Sequence, residues 1–133
     1  MKKIFSLLTL LATVAILFTS CSKSPEKVLP KNDGKWDVDA LVKVTIPGMG
    51  ESSMNQTGVI EFEKSTFKMN AAGQTTNGTW TASKDEVVLV SNGETIVFEV
   101  KKSSKKAQEW YSNQTTTVQG VSYQMEMTWN LSR

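Results

Sequence analysis

The sequence predicts an all-β protein, an eight-stranded antiparallel up-and-down β-barrel over residues 34–133. Three observations predict it. From Gly34 onward the apolar residues fall in short runs of period two, as in strands with one buried face, and no helical stripe interrupts them. Turn chemistry separates the runs, including Asn92-Gly93, a pair suited to a type I′ hairpin, in which both residues need positive φ. Eight sequential strands left as an open meander would expose two edges, and closing the sheet removes both. A two-sheet sandwich fits the same alternation, and period two alone does not choose between them.

The first run, about 35–46, sets Trp36, Val38, Ala40, Val42, Val44 and Ile46 on one face. Residues 47–55 then turn the chain into a second run, about 57–63, with Ile60 and Phe62 inward. Lys64 and Ser65 connect it to a third, about 66–70, with Phe67 and Met69 inward. A polar segment at 71–77 leads to a fourth run at Thr79–Ala82, and Ser83–Asp85 lead to a fifth at Glu86–Val90. The hairpin within 91–94 gives the sixth, Thr95–Val100, with Ile96, Phe98 and Val100 on one face. Four lysines in KKSSKK read as a solvated loop before the seventh run, about 107–117. After 113–120 turns the chain once more, the eighth run places Val121, Tyr123, Met125, Met127, Trp129, Leu131 and Arg133 on one face.

Residues 1–20 stand apart from this pattern. A basic start, MKK, precedes an apolar run of fifteen residues at 4–18. That is short for a bilayer span, which takes roughly 20 apolar residues, and suits a secretory signal peptide. The junction LFTSC resembles the lipobox of bacterial lipoproteins. It implies cleavage before Cys21 and acylation, of the palmitate type, at that residue. Residues 21–33 then read as the lipidated cysteine and a tether, with two prolines, mixed charge and a reach on the order of 20 Å if flexible. Without Lys2 and Lys3, thirteen basic side chains face thirteen acidic ones, so charge gives no nucleic-acid reading. The single cysteine, committed to the anchor, leaves none for an internal disulfide.

Gly34-Lys35-Trp36 at the head of the first run is similar to the G-x-W signature of the lipocalin and calycin superfamily. The whole of 34–133 resembles the small lipocalin-like lipoproteins of Gram-negative bacteria. The resemblance implies that Trp36 sits at the closed end of the barrel, beneath a basic side chain near the end of the last strand. Walking the meander brings Arg133 to that end with inward parity, and a guanidinium over an indole is worth about 0.5–2 kcal/mol. A second Gly-x-Trp, Gly78-Thr79-Trp80, echoes the first. The sequence departs from longer lipocalins in lacking their C-terminal helix and disulfide. Its strands are also shorter, which implies little room inside.

No enzyme is expected. The chain has no histidine, and its cysteine is assigned to lipid. The usual general base, zinc ligands and Cys/His nucleophiles are therefore missing, and no cofactor or metal is implied. The pairs Asp37/Asp39 and Glu61/Glu63 fall on the outer face, where they serve solubility. Lys101, Lys102, Lys105 and Lys106 lie at the end from which the tether leaves, and are candidate contacts to anionic lipid head groups. Ile46, Met69, Tyr123 and Met125 are the inward residues near the mouth and the candidate ligand contacts, methionine being able to fill irregular space.

The expected function is that of a lipid-anchored, lipocalin-like envelope protein that binds a small apolar or amphipathic ligand in the barrel mouth. The alternative is an interaction or inhibitor-type barrel with a packed interior, acting through its surface on a protein or an envelope polymer. Whether Trp36, Phe62, Phe67, Trp80, Phe98 and Trp129 fill the interior or leave a cavity separates the two. The expected partners are the membrane, through the anchor, and a small hydrophobic ligand, with no nucleic acid. Lipoproteins kept at the inner membrane carry Asp after the lipidated cysteine. Ser22 at that position favours the outer membrane, at its periplasmic face.

Overall fold

The computed structural model describes residues 23–133. The expected signal peptide, 1–20, and the lipidation residue Cys21 lie outside the described residues. Eight strands follow a one-turn helix α1 (Pro25–Val28): β1 (Lys35–Ile46), β2 (Gly50–Phe62), β3 (Thr66–Ala71), β4 (Gln74–Ala82), β5 (Glu86–Ser91), β6 (Glu94–Ser103), β7 (Ala107–Val118) and β8 (Val121–Ser132). Each pairs antiparallel with the next, and β8 returns to β1 from Asp37↔Ser132 to Thr45↔Gln124. That last ladder closes the barrel and excludes the sandwich.

The wall is uneven in height. Strands β1, β2, β7 and β8 have 12 or 13 residues, whereas β3 to β6 have 6 to 10. This corrects the expected loops at 47–55, 71–77, 91–94 and 113–120: the turns shrink to Pro47–Met49, Ala72–Gly73, Asn92–Gly93 and Gln119–Gly120. The second strand begins at Gly50, and Ser52, Met54 and Gln56 pair with Val44, Val42 and Ala40. Above the short strands both faces of the β1–β2 and β7–β8 hairpins meet water. Polar residues are then tolerated on both sides and the period-two signal disappears. Two-residue turns with both φ positive occur at Ala72-Gly73, Asn92-Gly93 and Gln119-Gly120. Only the middle one carries the Asn-Gly signature.

A similar correction applies to the lysine segment. Lys101–Ser103 belong to β6, with a register shift between Val100 and Lys102, and the turn is only Ser104–Lys106. The stretch expected as a tether differs more. From Lys23 onward it is folded onto the barrel: Lys23 N–H donates to the Ser103 carbonyl (3.2 Å), and Pro25, Val28 and Leu29 are buried. Val28 and Leu29 join the core formed by the inward faces of the strands. Among the described residues every member of the core cluster lies between Val28 and Leu131.

Candidate functional site

The barrel has one sealed end and one open end. Trp36 lies across the sealed end, almost wholly buried, and its indole N–H donates to the Leu29 carbonyl (3.0 Å). The Arg133 guanidinium stacks on its ring, 4.0 Å from the centroid. Arg133 Nε donates to the Lys105 carbonyl (2.7 Å) and an Nη to the Lys31 carbonyl (2.8 Å). One terminal side chain therefore ties together the N-terminal segment, the β6–β7 turn and the first strand. Partial desolvation lowers the proton affinity of this guanidinium, and Asp33 opposes the shift. Gly34 is required beneath it. Its φ is +69°, and a Cβ would collide with the Phe62 carbonyl oxygen, while the Phe62 backbone N–H donates to the Gly34 carbonyl (2.8 Å).

The second Gly-x-Trp repeats the device. Trp80 donates its indole N–H to the Glu63 carbonyl (2.8 Å), and a Cβ on Gly78 would strike the Val90 carbonyl. Above these caps the interior is filled by aromatic rings. Trp80 meets Phe62 edge-on (5.2 Å), Phe62 meets Trp110 (6.1 Å), and Trp110 stacks on Trp129 (6.3 Å, 18°). Phe98 closes the group against Trp110 and Trp129. Trp110, fully buried, is absent from the inward set expected of the sequence. Its strand shows Gln108, Trp110, Ser112 and Gln114 inward, so no apolar alternation marks the buried face. The polar neighbour has a purpose: Gln108 Oε1 accepts from Trp110 Nε1 (3.2 Å), while Gln108 Nε2 donates to Ser103 Oγ (2.8 Å).

The aromatic fill stops short of the mouth. There a cavity of about 370 Å³ opens above a floor of Phe67, Leu89 and Trp129, with Met69, Ala71 and Ile96 on its sides. Its rim is polar, made of Gln56, Gln74, Thr76, Ser91, Asn92 and Glu94. Glu94 is the only ionisable residue in this lining. Trp129 is 7% exposed, and its indole N–H has no hydrogen-bond partner. An unpaired buried donor costs about 1–3 kcal/mol, and the buried Ser112 Oγ, away from this cavity, is likewise without a partner.

Of the four candidate ligand contacts, Met69 lines this cavity and the others do not. Met125 packs against the core, and Ile46 and Tyr123 stand half-buried on the tall wall formed by β1 and β8. Inward parity was a sufficient guide for the short strands, but these three sit on strands that outrun their neighbours across the barrel. The cavity residues supplied by β3, β4, β5 and β6, together with Trp129, are the better set. Lys101, Lys102, Lys105 and Lys106 are all exposed at the sealed end. The acidic pairs Asp37/Asp39 and Glu61/Glu63 lie outward along β1 and at the end of β2, Glu61 half-buried and the others exposed. Among the described residues no group of His, Cys, Asp and Glu is arranged to hold a metal ion, and no helix is long and apolar enough to cross a membrane. No family model, curated protein or solved structure matches this chain.

Proposed function

We propose that this barrel is the folded part of a lipocalin-like envelope lipoprotein that holds one small apolar or amphipathic molecule in its mouth. The observation that carries the reading is the 370 Å³ cavity, apolar at its floor and polar at its rim, with the Trp129 side chain in its lining. Its size is at the lower end of the range of small-molecule sites. The lining also defines the guest's charge. With Glu94 at the rim and no basic side chain in the lining, a carboxylate or phosphate head finds no counter-charge there. The guest is a neutral or cationic molecule with an apolar end that fits the floor. In this reading the protein is anchored through Cys21 at the periplasmic face of the outer membrane, on the strength of the LFTSC junction and Ser22.

The test compares guests of one chain length and three head charges: a monoacylglycerol, an alkyl trimethylammonium and a fatty acid. Tryptophan emission and native mass spectrometry report on binding. Saturable one-to-one binding of the neutral or cationic guest, weak binding of the fatty acid, and loss of binding in Met69→Trp support the proposal. No saturable binding of any guest, with no non-covalent mass on protein extracted from its own membrane, would sink it. The packed lower half of the interior would then favour the alternative, a barrel that acts on a protein or polymer through its surface.

A further inference from the structure

The two ends of the barrel differ in charge as sharply as in closure. The four turns at the mouth contain no ionisable side chain. The segments at the sealed end, 23–34, 63–65, 83–85, 104–106 and 133, hold eight basic side chains against four acidic ones. Lys101 and Lys102 at the end of β6 add two more cations. A groove of about 700 Å³ lies here, lined by Lys23, Lys84, Lys101 and Lys102 together with Glu26 and Asp85. All four lysines are exposed, and among the described residues Lys101 is the one of them in an ion pair, with Glu99 at 3.1 Å.

The chain enters the fold at this same groove. Lys23 is held by its bond to Ser103, and only Ser22 separates it from Cys21. Two residues reach at most about 7 Å. The sealed end therefore stays within about one Debye length of whatever holds Cys21, close enough for lysines to feel a charged surface. The outer wall just above the groove carries carboxylates at Glu86, Glu99 and Glu109, which resist the barrel lying on its side.

We infer that the sealed end docks on an anionic phospholipid surface through the Lys23–Lys84–Lys101–Lys102 groove and the neighbouring Lys105–Lys106 turn, so that the mouth points away from the bilayer. A guest then exchanges with the aqueous compartment and not directly with the acyl chains. The inference is independent of the ligand reading and does not require acylation, because the lysines act through charge. Thirteen basic side chains balance thirteen acidic ones over 21–133, so net charge cannot supply the attraction. Only its segregation can.

Residues 22–133, which hold every described core residue, are mixed with vesicles of phosphatidylglycerol in phosphatidylcholine or of phosphatidylcholine alone. Binding to the anionic vesicles, lost on raising salt from 50 to 500 mM and absent with phosphatidylcholine, is the expected result. Each lysine near such a surface is worth about 1 kcal/mol, roughly fivefold in partition. K101Q/K102Q/K105Q/K106Q, all at exposed positions, should weaken binding by several hundredfold with its melting temperature unchanged. A nitroxide head-group lipid should quench a fluorophore at Lys105→Cys and leave one at Met49→Cys bright. Equal binding to neutral vesicles, retention by the four-lysine variant, or quenching at Met49→Cys would overturn the inference.

Discussion

Trp36, Trp80 and Trp110 each donate their indole N–H to a protein acceptor, whereas Trp129, in the floor of the mouth, donates to none. The same residue type is used in two ways, even between Trp110 and Trp129, which are cross-strand partners. Toward the sealed end the Trp36 and Trp80 indoles are each fixed by a hydrogen bond to a backbone carbonyl and by packing, and the segment before β1 folds back to complete the closure. At the mouth the ring is packed but its polar atom is left over. One end is closed by hydrogen bonds from Trp36, Trp80 and Arg133, whereas the other leaves a cavity beside the Trp129 ring.

The contrast is broken most severely at Trp36. Trp36→Ala deletes the plug, the Leu29 hydrogen bond and the surface on which Arg133 stacks. A loss of about 3–5 kcal/mol in urea unfolding is expected. Native-like stability would mean that the sealed end is not where the fold is secured. Gln108→Leu comes next. It leaves Trp110 Nε1 without an acceptor inside the core, at a cost of about 1–3 kcal/mol. Removal of both polar partners together, in a Q108L/W110F double variant, should recover part of that loss. Failure to recover any would show that the leucine is simply a misfit.

A smaller effect is expected at Arg133. Arg133→Ala removes the stacked cation and two hydrogen bonds at a partly solvated position, about 1–2 kcal/mol in all. Arg133→Lys should restore less than half of that, because an ammonium has neither the planar face nor the fork that reaches Lys105 and Lys31 together. Amide exchange of the residues 28–31 should speed up in both variants, since Arg133 holds that segment down. If Lys substitutes fully, charge alone matters and the stacking does not.

The eight-strand order, the inward parity of Trp36, Phe62, Phe67, Phe98 and Trp129, and the meeting of Arg133 with Trp36 were all legible, because alternation and meander direction suffice to place them. Three features were not. Val28 and Leu29 are flanked by prolines and charges, so their burial depends on a docking surface that exists only once the barrel is closed. Trp110 was hidden by its inward polar neighbours Gln108 and Ser112, of which Gln108 is hydrogen-bonded to the Trp110 indole and the Ser112 hydroxyl has no partner. The mouth was placed too high, at Ile46, Tyr123 and Met125, because strand length relative to the opposite wall follows from pairing register and leaves no local mark on the sequence. The positive-φ turns at Ala72 and Gln119 were silent for a related reason: hairpin closure imposes them on residues that do not prefer that region.

The smallest change in stability should come from Trp129→Phe, and it is the most informative when set against Trp80→Phe. Both remove an indole N–H and part of a buried ring. At Trp80 the loss leaves the Glu63 carbonyl without its donor, so about 1–3 kcal/mol should be lost. At Trp129 no protein acceptor is abandoned, and removing an unsatisfied donor offsets the lost ring volume. The two variants should therefore differ, with Trp129→Phe within about 1 kcal/mol of the parent protein. Guest affinity should show the reverse order: altered in Trp129→Phe, whose ring lines the cavity, and unchanged in Trp80→Phe, whose ring does not. Equal losses of stability in both variants would mean that the Trp129 N–H is satisfied within the folded protein. The mouth would then be an ordinary end of the barrel, no different in kind from the sealed one.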